Sequence, residues 1–192
     1  MNHLENVKIV ALVGLTGSGK STAVDYLTEK GYPKVYFGGI FYEAMKEAGL
    51  TPGDWAVETP FRAAIREKEG NDFVVKRANK QIRDLISAGQ HRIIADGLYS
   101  WTEYKVMKHE FPGELTLIAI VTPRRIRQHR LAARPDRPLT SAEVDQRDWN
   151  EIETIEKGGP IAIADHFITN DGDEAQLQKQ LDAILEDIGF YK

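Results

Sequence analysis

Apolar residues along this chain fall into two alternating patterns. Short, near-continuous apolar runs at 7–13, 34–37, 91–96, 115–121 and 162–168 have the length and composition of strands buried on both faces of a parallel sheet. Between them, apolar positions at helical spacing predict helices over 21–30, 40–49, 55–68, 72–88, 101–110, 124–133, 141–157 and 173–188. In the first of these, Ala23, Val24 and Leu27 share one face and Gly31 follows as a stop. Gly38-Gly39 closes the second strand, Gly49 and Gly89 end helices, and Thr51-Pro52-Gly53-Asp54 has turn chemistry.

Strands that alternate with helices imply βαβ units whose right-handed crossovers place helices on both faces of one sheet. The predicted class is α/β, with five parallel strands in the middle of three layers. In such sheets ligands sit beyond the carboxyl ends of the strands. The informative residues are therefore those just after each strand.

After the first strand comes Gly14-Leu15-Thr16-Gly17-Ser18-Gly19-Lys20-Ser21-Thr22, which fits the phosphate-binding pattern G-x-x-x-x-G-K-[ST] between a strand and a helix. Glycines let the backbone turn so that successive N–H groups face a phosphate chain, and the positive end of the following helix adds to the same field. Gly14, Thr16, Gly17, Ser18, Gly19, Lys20, Ser21 and Thr22 are the candidate nucleotide cradle. Within it, Lys20 is the cation for the β/γ-phosphates and the Ser21 hydroxyl a ligand for bridging Mg²⁺.

Ile93-Ile94-Ala95-Asp96-Gly97 ends the third strand with a carboxylate at the ligand-facing edge. Asp96 there either holds Mg²⁺ through water or accepts a proton from the attacking group; as a plain turn residue it would do neither. After the fourth strand, Arg124, Arg125, Arg127, Arg130, Arg134 and Arg137 form the densest basic cluster. Arg127, Arg130 and Arg134 are spaced to share a helix face. Pro135-Asp136-Arg137-Pro138 then breaks the helix into a loop, a candidate lid at about 134–141 that brings Arg134 and Arg137 over a transferring phosphoryl group. Gly38, Arg62 and Arg66, in a helical segment at about 38–90, are the candidate acceptor contacts, with Lys76 and Arg77 in reserve. The aromatics Phe37, Phe41 and Tyr42 beside Gly38 read as core.

Composition narrows the chemistry. The 192 residues suffice for one sizeable core, so a single domain over 1–192 is expected. Lys plus Arg total 25 against 29 Asp plus Glu, a formal net charge of −4, so no general affinity for nucleic acid or anionic membrane is expected. There are no cysteines, which excludes thiolate metal sites and thiol catalysis. The five histidines show no metal-ligand spacing, and His91 and His166 fall at strand positions. With no signal-peptide pattern and no apolar run near 18 residues, the expected location is cytoplasmic.

Gly14 to Thr22, Asp96-Gly97, the arginines at 127, 130 and 134, and Ala164-Asp165-His166-Phe167-Ile168-Thr169-Asn170-Asp171-Gly172 together resemble the dephospho-CoA kinases and related P-loop nucleotide kinases. The middle, Arg66-Glu67-x-x-Gly70-x-Asp72-x-Val74-Val75-x-Arg77 followed by Asp96-Gly97, is similar to a group of small archaeal-type nucleotide kinases. The resemblance implies a P-loop NTPase fold with a small arginine-bearing lid. It also implies that Asn170, Arg127 and Arg130 lie beside the adenine of ATP, and that Arg134 and Arg137 belong to the lid. One departure stands out: dephospho-CoA kinases carry a carboxylate after the second strand, where this chain reads Tyr36-Phe37-Gly38-Gly39.

The expected activity is ATP- and Mg²⁺-dependent transfer of a γ-phosphoryl group to a nucleotide-like small molecule, most like dephospho-CoA kinase. Because a phosphate acceptor is already anionic and needs no strong base, a nucleoside monophosphate is the alternative substrate. A regulatory nucleotide-hydrolysing switch and a kinase of nucleic-acid ends are rivals of other classes. The sequence has no guanine-specifying Asn-Lys-x-Asp for the first, and its acidity opposes the second.

Overall fold

A computed structural model describes residues 6–52, 55–135 and 137–191. Five strands, β1 (Lys8–Val13), β2 (Lys34–Tyr36), β3 (Arg92–Asp96), β4 (Leu115–Val121) and β5 (His166–Thr169), form one sheet in the order β2-β3-β1-β4-β5, and every pairing is parallel. The helices are α1 (Lys20–Glu29), α2 (Phe37–Glu47), α3 (Trp55–Glu69), α4 (Phe73–Ser87), α5 (Trp101–Glu110), α6 (Arg124–Ala132), α7 (Ser141–Glu153), α8 (Gly158–Ala162) and α9 (Glu174–Asp187).

The two-residue period of a strand divides the core between two faces. Val10, Leu12, Ile94, Ile118 and Ile120 pack with Ala23, Val24 and Leu27 of α1 and Leu177, Leu181 and Leu185 of α9. Ile9, Ala11, Val13, Ile93 and Leu117 point the other way, onto Ile40 of α2, Val75, Ala78 and Ile82 of α4, and Met107 of α5. Each such side chain contributes about 1.5–3 kcal/mol on burial. The result is the expected α/β fold of three layers with a five-stranded parallel sheet. Among the described residues no helix is long and apolar enough to cross a membrane.

Four expectations need correction. Gly38 and Gly39 do not close β2 but lie in the first turn of α2, and the Tyr36 ring folding back over them requires glycine there: a Cβ at Gly38 would come within 2.6 Å of the ring and one at Gly39 within 2.9 Å. α6 stops at Ala132, so Arg134 is not on its face; the residue before Pro135 is disfavoured in the helical region. The fifth strand starts at His166 rather than 162. Pro160 suits the first turn of α8, where a missing N–H costs nothing, and the Asp165 carboxylate takes the Leu117 N–H at 2.7 Å in place of a further strand carbonyl. Finally, α7 ends at Glu153 instead of continuing to 157, with Glu156 in the left-handed region at φ 60°. The turn expected at 51–54 includes Gly53 and Asp54, which lie outside the described residues.

Candidate active site

β1 delivers its chain directly into the glycine-rich loop at the carboxyl edge of the sheet, and α1 starts at Lys20. No side chain caps α1 and its first turn holds no acidic residue, so its leading amides are left for an anion from outside. Gly19 sits at φ 99°, and a Cβ there would lie 2.2 Å from Asn170 Nδ2; glycine is required by both backbone and space. Asn170, the residue after β5, donates from Nδ2 to Ser18 O at 2.8 Å. The Thr122 hydroxyl, after β4, donates to Ser18 O at 3.1 Å and to Asn170 O at 2.9 Å. The ends of three strands thus hold the loop in one conformation.

Lys20 Nζ donates to Gly14 O at 2.6 Å and Leu15 O at 3.1 Å, folded into the loop's own hollow. Burial, with Lys157 and Arg147 nearby, lowers its pKa to about 8 against the pull of Glu151 and Asp96. A phosphate chain would supply the missing counter-charge. Ser21, in the first turn of α1, is exposed, Thr22 is half-buried, and buried Ser18 Oγ has no partner among the described residues.

Asp96 ends β3 in register with Leu12 of β1 and Tyr36 of β2, which puts its carboxylate between the loop and the aromatic edge. Burial pushes its pKa up, with Lys34 and Lys20 working the other way. Tyr36 and Tyr99 both sense the Asp96 charge and have raised pKa values, chiefly through burial. A hydroxyl from Ser21 and a carboxylate from Asp96 are hard oxygen donors of the kind Mg²⁺ takes. No group of three or more His, Cys, Asp or Glu able to hold a metal occurs among the described residues. An ion here would therefore draw its other ligands from nucleotide oxygens and water, the usual arrangement for Mg²⁺.

The expected nucleotide contacts divide. Gly19, Thr22, Arg130 and Asn170 surround one cavity of about 300 Å³ with Gly172 and Asp173. Arg130 donates to Asn170 O and Gly172 O, both at 3.1 Å. Arg127 is 4% exposed, with Nη1 and Nη2 on the two oxygens of Asp148 at 2.8 and 2.7 Å and Nη1 also on Thr16 O at 3.1 Å. It braces the loop from behind. Arg124 pairs with Asp145 on α7. Arg134 and Arg137 are exposed beyond α6, while Asp136 lies outside the described residues.

On the acceptor side, Gly38 is covered by the Tyr36 ring, and the side chain of Arg62 lies outside the described residues. Arg66 is exposed on α3 and faces the charge of Glu103. Glu103 itself accepts from the Tyr99 and Ser100 amides at 2.8 and 3.0 Å. The reserves are spent: Lys76 pairs with Asp72, and Arg77 with Glu47 and Glu69.

Sequence reasoning missed a cluster on α7. Glu151, 2% exposed, accepts the Thr16 N–H at 3.0 Å and also the Thr16 hydroxyl. Lys157 Nζ lies 2.8 Å from Glu151 Oε1 and 4.3 Å from the centre of the Tyr99 ring, and Arg147 Nε donates to Thr16 Oγ1 at 3.0 Å. On one unbroken helix Lys157 would stand six residues from Glu151, about 240° round the axis. The early end of α7 is what brings the two together. The available signal was the run Gly158-Gly159-Pro160, a helix-breaking composition just after the expected helix.

Residues 10–156 match the family model described as AAA domain. The chain is 34% identical over 185 residues to a UPF0200 protein of Thermococcus gammatolerans, covering 94% of this chain and 95% of that protein. Among solved structures, shikimate kinase from Aquifex aeolicus vf5 matches with a TM-score of 0.55 at 23% identity, over 94% of this chain and 98% of that one. A gluconokinase from Sinorhizobium meliloti 1021 matches with a TM-score of 0.55 at 16% identity, over 95% and 96% of the two chains. The chain shares its fold with these two kinases.

Proposed function

From the premise that the chain belongs to the UPF0200 family and carries an AAA domain, we propose that it is an ATP-dependent kinase that phosphorylates a nucleotide-like small molecule on a hydroxyl group. The observation that carries the reading is Asp96, a half-buried carboxylate of raised pKa set between Lys20 and Tyr36 and Tyr99. It stands one strand across from the position where a dephospho-CoA kinase would carry its carboxylate, so the base absent beside Gly38 has a replacement at the same sheet edge.

The acceptor oxygen forms a bond to the γ-phosphorus as the bond to the β,γ-bridging oxygen breaks. The hydroxyl proton passes to Asp96 and ADP leaves. Lys20 and the loop amides stabilise charge on the phosphate oxygens, a preorganised electrostatic contribution. Ser21, with Asp96 through water, would hold Mg²⁺, which neutralises phosphate charge when bound. Gly19, Thr22, Arg130 and Asn170 border the space for the nucleoside of ATP. Arg66 orients the acceptor, and Arg134 and Arg137 close over the site as a lid.

ADP formation measured with ATP, Mg²⁺ and a panel of dephospho-CoA, other hydroxyl-bearing nucleotides and the common nucleoside monophosphates tests this. Turnover with a hydroxyl acceptor is expected. Turnover with monophosphates alone would transfer the reading to a nucleoside monophosphate kinase, and hydrolysis indifferent to every acceptor would remove the kinase altogether.

A further inference from the structure

The α7 cluster places more positive charge at the phosphate loop than Lys20 alone supplies. Three cations meet there: Lys20 on α1, Arg147 on α7, and Lys157 from the turn before α8. Glu151 touches two of them and the loop, lying 2.8 Å from Lys157 Nζ, 3.4 Å from Arg147 Nε and 3.0 Å from Thr16 N. Burial works to raise its pKa, but Lys157 and the Thr16 bonds outweigh that and hold it below the usual value. It is a fixed anion at the hub of the cluster.

The three cations differ in what they have left to offer. Lys157 is buried, committed to Glu151 and stacked on Tyr99. Arg147 has a half-exposed side chain and uses only Nε, on Thr16 Oγ1 and Glu151. Its two terminal nitrogens take no acceptor among the described residues, and they form the planar fork that suits two phosphoryl oxygens at once. Thr16 is the third residue of the loop, so the guanidinium is tied to the same segment that cradles the phosphates.

We propose that Glu151 is a positioning residue for phosphoryl transfer, fixing Thr16 from outside the loop and holding Arg147 so that its free fork meets the terminal phosphoryl group beside Lys20. Lys157 balances the buried carboxylate and keeps it in place. The inference rests on the kinase reading for the transfer step, but its geometry concerns only the donor nucleotide. It adds an arginine on α7 to those of the loop at 134–141, and the capping box between Thr140 and Glu143 gives α7 a fixed start.

The test uses the full chain and compares binding of ADP with that of a non-hydrolysable ATP analogue by calorimetry near neutral pH, alongside ADP formation. Wild type is expected to prefer the triphosphate analogue. Arg147→Ala and Glu151→Gln should each reduce that preference about tenfold with ADP affinity within twofold, and slow turnover about a hundredfold, the scale for loss of one preorganised donor or its alignment. Arg147→Lys should restore only part, because it returns the charge without the fork. The split between kept ADP affinity and lost analogue preference, with partial rescue by Arg147→Lys, separates positioning from mere folding. If Glu151→Gln fails to fold by circular dichroism, the half-exposed Arg147 variants still decide. Unchanged analogue preference in Arg147→Ala overturns the proposal. Loss of that preference in a protein that phosphorylates no acceptor supports the proposal and removes the kinase reading.

Discussion

The two sides of this site are built differently. On the donor side the loop is tied by buried or half-buried groups from four elements: Asn170 after β5, Thr122 after β4, Arg127 on α6 with its partner Asp148, and Glu151 on α7. On the acceptor side Arg66 is exposed, Tyr36 and Tyr42 are 44% and 38% exposed, and the cations of α4 are paired off at the surface. A polyphosphate is the same in every reaction of this kind, so its cradle can be rigid and preformed. An acceptor is distinguished by a few polar contacts, and the candidate acceptor face, made of α2, α3 and the edge strand, is the half-exposed one.

The largest break in this contrast comes from Lys20→Ala, expected to lower turnover by roughly a thousandfold or more by loss of a donor aimed at the transferred charge; steady-state kinetics check it. Retained turnover would show that the loop is not a catalytic cradle. The same change should stabilise the free protein near neutral pH. A lysine depressed to about 8 binds fewer protons folded than unfolded between there and its ordinary value of 10.5, so its contribution to stability rises with pH across that window. Removing Lys20 should flatten that rise in thermal melts.

Next is Asp96→Asn, expected to cost about 10²- to 10⁴-fold in turnover as a lost general base. Wild-type kcat/KM should be bell-shaped in pH. The acid limb lies above the ordinary carboxylate range because burial raises Asp96, and the alkaline limb lies near 8 where free Lys20 loses its proton. A profile that keeps its acid limb in Asp96→Asn assigns the proton elsewhere.

Arg127→Met probes rigidity rather than chemistry. It strands Asp148 without its partner, a loss of about 3–5 kcal/mol for a broken buried pair, or roughly 10 °C in melting temperature for a chain of this size. Differential scanning calorimetry reads it; an unchanged melting point would mean that the donor side is not held by this pair. The smallest effect is expected at the acceptor side, where Arg66→Ala should raise KM for the acceptor up to about tenfold and leave KM for ATP unchanged. An equal rise in both would erase the division between the two sides.

Much of this was legible in the chain. The alternation of apolar runs and helical spacing gave the sheet and its layers, since a strand buried on both faces must be apolar throughout. The glycine-lysine-serine pattern located the donor loop, since backbone freedom and a cation at fixed spacing are local requirements. Asp96 was legible as a candidate because ligands in such sheets sit at strand ends, and it does end β3 beside the loop. Arg127 shows where such reasoning stops: its neighbours 124, 125 and 130 have the same composition, and nothing in their spacing says that only 127 would be buried against a carboxylate 21 residues away.

The sequence by itself determined the fold class and the place of the glycine-rich loop, because each rests on interactions within a few residues or on the two periods of secondary structure. Only the tertiary structure decided which charges meet at that loop. Glu151 reaches Thr16 across 135 residues of chain, and it meets Lys157 because α7 stops at Glu153 instead of running on. Such pairings depend on where helices end and how layers stack, and packing of the whole core settles that rather than any local pattern.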